Sequence, residues 1–258
     1  MTRDTQVWIL IGGFSLLLLL LVACGDITAE EPLVTQSPDQ AEELVETSAE
    51  IDFPLTLGNT WVYSGTFYQG SNPSTVLTAT YIVTESVVDI LHSDLDTYTI
   101  FQIAREEELI FCPTEWQSRP DNWCDRLAIP DPAYYWYIIE GTTLYRQDRL
   151  ESYRLLERGI RELLFPLEEG KQWYLNHKMA QTYPNYEVDS MLRKVVAARP
   201  RTVPAGNFEG CFQLQTIVGG ETSLLDYCPN VGIVERAYIH HGTPFGTHET
   251  LIKYVFSQ

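Results

Sequence analysis

Positive charge is scarce in this chain: 17 Lys and Arg stand against 35 Asp and Glu, a net charge of −18 over 258 residues. Binding of DNA or RNA depends on Lys and Arg that displace counterions from phosphates, and no basic run or patch occurs, so nucleic acid is excluded as a partner. Motifs that carry chemistry are missing as well. There is no GxSxG elbow, no SxxK and no phosphate-cradling loop. His248-Glu249 begins like a zinc-peptidase HExxH, but Ile252 stands where the second histidine is required. The five cysteines form no CxxC pair and no cysteine–histidine spacing suited to zinc. No cofactor and no metal is expected, and the chain is read as non-catalytic.

What is present begins with an apolar run from Val7 to Ala23, broken only by Gly12, Gly13 and Ser15. Its 17 residues lie at the lower limit for crossing a bilayer as a helix and within reach of a signal-peptide apolar region. The end of the run decides. Leu21-Val22-Ala23-Cys24 resembles the lipobox of bacterial lipoprotein precursors, in which small residues admit the peptidase and the cysteine thiol receives a diacylglycerol. Residues 1–23 are therefore expected to be a lipoprotein signal peptide and Cys24 the lipidated residue. The alternative is an uncleaved anchor that ends in a cysteine.

Residues 25–50 hold eight acidic side chains and no Lys or Arg. Such a segment buries too little apolar surface to order itself. As a flexible tether it would span roughly 25 to 30 Å, and more because its charges repel. A helix around Asp39 to Ala49 is the competing reading, since Ala41, Leu44, Val45 and Ala49 have partly helical spacing. With those eight residues set aside, and Arg3 cancelling Asp4, residues 51–258 carry −10. That charge disfavours a soluble anionic partner.

Once Cys24 is assigned to lipid, four cysteines remain. An oxidising compartment favours pairing, and short separations favour Cys112 with Cys124 and Cys211 with Cys228.

Residues 51–258 read as strands between turns. Leu77, Ala79, Tyr81 and Val83 alternate with Thr78, Thr80 and Thr84; Thr250, Ile252, Tyr254 and Phe256 alternate with Glu249, Leu251, Lys253 and Val255. Further strands are expected over Thr60–Tyr68, Tyr98–Ala104, Leu109–Cys112, Tyr134–Ile139, Thr142–Gln147, Met191–Ala198, Cys211–Val218, Ser223–Tyr227 and Ile233–His240. The fold class that follows is mainly β, an antiparallel open barrel or sandwich. One short helix is expected where Leu155, Leu156, Ile160, Leu163 and Leu164 recur, although Gly159 weakens it. Glu106-Glu107-Glu108 reads as a solvated edge. His240 and His241, adjacent on a strand, would point to opposite faces.

An internal echo links Phe53-Pro54-Leu55-x-x-Gly58-x-x-Trp61 to Phe165-Pro166-Leu167-x-x-Gly170-x-x-Trp173, so the domain is read as two halves starting near 53 and 165. These segments, with Val203-Pro204-Ala205-Gly206-x-Phe208-x-x-Cys211 and Pro229-x-Val231-Gly232-x-Val234, resemble a group of uncharacterised secreted bacterial lipoproteins built on an antiparallel β-domain. The resemblance covers mainly residues 51–65 and 165–258, and extends distantly to open β-barrels of envelope proteins that carry or sense lipid. It implies no catalytic residues. Asn230 departs from the pattern, standing where a glycine is common.

Aromatics cluster at Tyr134, Tyr135, Trp136 and Tyr137 and, within the Cys112–Cys124 loop, at Trp116 and Trp123. Their apolar faces and polar tips suit amphiphiles, so these six are the candidate ligand-binding residues, with core packing as the competing role. The expected function is a lipid-anchored extracytoplasmic binding or carrier module, held to the cell-envelope membrane through Cys24 and taking an amphiphilic lipid or glycan. An envelope scaffold bound to another envelope protein and a secreted hydrolase are the alternatives.

Overall fold

Alternation of apolar and polar residues governs the architecture. The computed structural model describes residues 51–70, 76–92, 98–117, 124, 132–148, 159–176, 192–218 and 221–257. Chain contacts separate residues 1–45 from Glu46–Gln258, and the described residues belong to the second unit. Cys24, the acidic segment and Trp123 lie outside them.

The first six strands are β1 (Thr60–Gln69), β2 (Leu77–His92), β3 (Tyr98–Phe111), β4 (Ala133–Glu140), β5 (Thr143–Gln147) and β6 (Ile160–Leu164). The others are β7 (Gln172–Tyr174), β8 (Leu192–Ala198), β9 (Arg201–Val203), β10 (Gly206–Phe208), β11 (Phe212–Val218), β12 (Glu221–Cys228), β13 (Gly232–His240) and β14 (Phe245–Val255). Twelve of them make one antiparallel sheet in the order β6-β5-β4-β3-β2-β1-β14-β13-β12-β11-β8-β7, while β9 and β10 form a separate hairpin. The order is two six-stranded meanders joined where β1 pairs with β14. The outer edges also approach: Arg161 N–H donates to the Leu175 carbonyl at 2.8 Å, and Trp173 Nε1 donates to the Arg161 carbonyl at 2.9 Å. The sheet is thus a nearly closed barrel, its strands bent by bulges such as those at Val62/Tyr63 and Asp226/Tyr227. The expected β class is what the chain adopts.

One strand face fills the interior. On β2, Ala79, Tyr81, Val83, Glu85 and Val87 are buried while Thr78 and Val88 are exposed. The interior is closed by Trp61, Tyr63, Phe101, Ile103, Tyr137, Leu144 and Leu251 from five more strands.

The two FPLxxGxxW segments share their glycine turn and strand pairing but differ at the proline, where the Phe165–Pro166 peptide bond is cis and the Phe53–Pro54 bond is not. Gly58 and Gly170 have φ of 86° and 88°, a left-handed backbone that a residue with a Cβ adopts only at a cost. Gly58 N–H donates to the Val87 carbonyl on β2, and Gly170 N–H to the Val195 carbonyl on β8, each at 2.9 Å. The return bonds also match, Val87 N–H to Asn59 and Val195 N–H to Lys171. Phe53 and Phe165 then converge on one ring, Tyr227, at 5.8 and 5.7 Å.

Three local expectations change. Ile160–Leu164 is strand β6 and not helix, because its pairing with β5 overrides a weak helical spacing; Leu155 and Leu156 lie outside the described residues. The short helix is α1, Thr114–Gln117. Tyr98–Phe111 is a single strand, and its β4 partner ends opposite Arg105, so Glu106–Glu108 run along a local edge. Asn230 keeps the turn geometry of a glycine at φ 60°, a region asparagine tolerates.

Cys112 is bonded to Cys124 and Cys211 to Cys228, with Cα separations of 6.1 and 4.2 Å. Among the described residues no helix is long and apolar enough to cross a membrane.

Candidate functional site

Charge sits where the strand pattern calls for apolar side chains. Glu85 continues the inward series of β2 as the register partner of Trp61 on β1, and Glu249 of β14 faces the same strand further along, at Gly65. Gly65 on β1 is the register partner of both Tyr81 and Glu249. With no Cβ at that position, the Tyr81 ring lies across the backbone and its hydroxyl donates to Glu249 Oε1 at 3.3 Å. Two guanidinium groups close the layer. Arg236 of β13 donates to both Glu85 oxygens, at 2.9 and 2.8 Å, and to Glu249 Oε2 at 3.2 Å. Arg105 of β3 reaches Glu85 at 2.8 Å, Glu249 at 2.5 Å and Glu107 at 2.8 Å.

Burial pushes the Glu85 carboxyl up, but the guanidinium groups of Arg236 and Arg105 outweigh it and hold the group at about 2. Glu249 is lowered by the same balance. The aromatic surroundings are equally dry: burial raises the Tyr63 and Tyr135 hydroxyls well above their ordinary value and Tyr137 to about 12. Arg236 lies 4.8 Å over the Tyr63 ring and Arg146 4.6 Å over the Tyr135 ring.

A second clamp spans the seam between the sheet edges. Arg193 of β8 pairs with Glu162 of β6 at 3.1 Å, donates to the Glu162 carbonyl at 2.8 Å, and donates through Nε to Thr216 Oγ1 at 3.0 Å. Between the clamps lies a cavity of about 550 Å³, to which Arg105, Arg146, Arg193 and Arg236 contribute guanidinium groups. Ile160, Leu175, Leu224 and Leu225 supply its apolar wall. Such a space can hold a molecule with one polar and one apolar end. Two of its carboxylates, Glu162 and Glu249, are poorly suited to proton transfer, because neighbouring guanidinium groups hold them ionised against the cost of burial.

The expected aromatic surface is corrected by this geometry. Trp116 is 1% exposed and packs on Phe67 at 5.4 Å. Tyr135 and Tyr137 face inward and are core, whereas Tyr134 is exposed and Trp136 packs on the opposite face with Ile100, Ile138 and Tyr145. Alternation along β4 divides the four between two faces, so they cannot form one surface. His240 and His241 do not come together on one ligand; Nδ1 of the first meets Thr243 and Nε2 of the second meets Thr222. His248 meets Glu235 at 2.6 Å, beside an ion cluster in which Arg201 of the β9–β10 hairpin contacts Asp226 and Glu235.

Glu85, Arg105, Arg146, Glu162, Arg193, Arg236 and Glu249 were not singled out by sequence reasoning. Glu85 had a signal, since it falls in phase with Leu77, Ala79, Tyr81 and Val83. The arginines had none, because nothing local distinguishes a guanidinium that meets a carboxylate 151 residues away.

No protein-family model matches the chain, and no curated protein matches it in sequence. Among solved structures it is similar to a protein of Bacteroides fragilis, provisionally an exported protein with a YmcC-like fold, at 10% identity and a TM-score of 0.40, covering 79% of this chain and 98% of that one. It is also similar to a provisional lipoprotein of Parabacteroides distasonis, at 11% identity and a TM-score of 0.41, covering 80% of this chain and 98% of that one. Likeness at this level does not extend to side chains, and no role is transferred.

Proposed function

We propose that the protein is a non-catalytic binding module of the cell envelope, anchored on the extracytoplasmic face of a membrane through lipid on Cys24, that holds an amphiphilic molecule inside its barrel. The observation that carries the reading is the cavity of about 550 Å³, whose lining combines leucine and isoleucine with four arginines. The anchoring part rests on the lipobox at Leu21 to Cys24 and the acidic tether behind it. The ligand is placed in the interior and not on the aromatics of the Cys112–Cys124 loop, since Trp116 is core. Glu85, Glu162 and Glu249 are each clamped by arginine, which supports binding over catalysis.

Native mass spectrometry of the full chain, extracted from its own membrane in mild detergent, tests the reading. The expected result is a mass above that of the acylated chain, lost on harsher activation and identified as an amphiphile. A single mass equal to the acylated chain, together with no uptake of added amphiphiles, overturns it.

A further inference from the structure

The arginines that border the cavity differ in how far their donors are already used. Arg105 and Arg236 have their terminal guanidinium nitrogens engaged by Glu85 and Glu249, with the buried Nε of Arg236 left without a hydrogen-bond partner among the described residues, and Arg193 is engaged by Glu162 and Thr216. Arg146 is not. Its nearest carboxylate among the described residues is Asp148, at 3.6 Å, too far for a hydrogen bond, and Asp148 is itself 76% exposed. The Arg146 side chain is 34% exposed and lines the cavity, with its guanidinium carbon 4.6 Å from the centre of the Tyr135 ring. Contact with the ring face uses none of the N–H donors, and a guanidinium so placed can receive a carboxylate or phosphate bidentately.

A second unspent group stands on the neighbouring strand, behind the residues that line the cavity. Tyr137 is the register partner of Arg146 on the neighbouring strand, and its hydroxyl is buried with no hydrogen-bond partner among the described residues. A buried hydroxyl left in that state is costly unless something completes it. The apolar side chains nearest in chain order, Ile160 on β6 and Leu175 after β7, line the same cavity.

We infer that Arg146 is the anion anchor of the cavity, and that its ligand is an amphiphile with a carboxylate or phosphate head on an apolar tail. This rests on the binding function proposed above and narrows it. The local geometry departs from what total charge suggests, because a net −18 acts on soluble anions in bulk, whereas a part-buried guanidinium acts at short range on a ligand already in the cavity.

Titration calorimetry of the full chain with decanoate, decyl phosphate and decanol tests the inference. The expected result is that at least one anionic probe binds about tenfold to a hundredfold more tightly than decanol, the range set by a hydrogen-bonded buried charge. If decanoate alone gains, the head is a carboxylate; if decyl phosphate alone gains, it is a phosphate. R146Q should bring the anions down to the level of decanol in the same variant, and R146K should restore part of the gain through charge without the fork. Decanol binding as tightly as both anions in the unmodified protein overturns the anion anchor but leaves the cavity function standing, and needs no variant. R146Q that binds the anions as the unmodified protein does, at an unchanged thermal midpoint, overturns it too. Failure of all three probes to bind overturns the cavity function itself.

Discussion

Arg236 grips both carboxylate oxygens of Glu85, at 2.9 and 2.8 Å, across 151 residues of chain. The pair joins β2 of the first meander to β13 of the second, so it closes the barrel interior with charge where most barrels of this size use side-chain packing. Removing one member of such a pair leaves the other as an uncompensated buried charge.

Glu85→Gln is therefore expected to lower stability at pH 7 by about 3 to 5 kcal/mol, read as a fall in the denaturant midpoint. The pH dependence has a definite sign. Glu85 is held at about 2 when folded against 4.5 ordinarily, so its contribution is present above pH 4.5 and is lost as pH falls through about 2. The shift corresponds to roughly 3 kcal/mol. The gap between the unmodified protein and the variant should narrow across that window, and a constant gap would place the acid-sensitive group elsewhere.

Gly65 has a more local role that the same layer depends on. A Cβ there would collide with the Tyr81 ring, and ring and backbone cannot both keep their places. Gly65→Ala should cost about 1 to 3 kcal/mol through overpacking, while Tyr81→Phe, which loses only the 3.3 Å bond to Glu249, should cost about 1 kcal/mol. Thermal unfolding of the two variants ranks them. Equal losses would mean that the hydroxyl, not the close approach, sets the cost.

The strands were legible because burial repeats at every second residue, as in Ala79, Tyr81, Val83 and Glu85. Their closure was not. Nothing in Arg161 or Leu175 marks them as the residues that bring the two sheet edges together, since a seam is a property of the whole curl. The aromatics misled for a related reason: Tyr135 and Trp136 look alike as a binding cluster, yet one strand step sends them to opposite faces. The charged interior was the least readable, because Glu249 occupies what looks like a polar phase of β14 and is nevertheless buried.

The two disulfides should differ in weight. Cys211 stands just before β11 and Cys228 ends β12, where Phe212 and Tyr227 are already register partners. The ladder closes that loop without the bridge. Cys112–Cys124 instead ties the end of β3 to a residue outside the fourteen strands. Loss of the 112–124 bridge through paired serines is expected to cost about 3 kcal/mol, and loss of the 211–228 bridge less. Denaturant curves of the two double variants decide between them, and the reverse order would mean that strand pairing near Cys211 depends on the bridge.

Trp116 separates core packing from ligand contact. It is 1% exposed, and its ring meets Phe67 on β1 at 5.4 Å. Trp116→Ala should lower stability by about 3 to 5 kcal/mol, whereas Tyr134→Ala, at a residue 46% exposed, should stay within about 0.5 kcal/mol. A thermal midpoint that does not move for Trp116→Ala would return that residue to the list of ligand contacts.

The anchor is the part of the proposed function that depends on one atom. If the thiol of Cys24 carries the diacylglycerol, the acyl chains hold the protein at the membrane, because residues 25–50, with eight acidic side chains, are too acidic to insert into it. Each buried methylene contributes about 0.8 kcal/mol to that hold, so losing the modification removes far more than any surface contact could replace. Cys24→Ser is expected to leave the precursor uncleaved or to release unlipidated protein, which detergent partitioning and the mass of the N-terminal peptide distinguish. Unchanged partitioning into detergent, with residues 1–23 still attached in the unmodified protein and no acylated peptide, would make that segment an ordinary anchor and take the lipid out of the function.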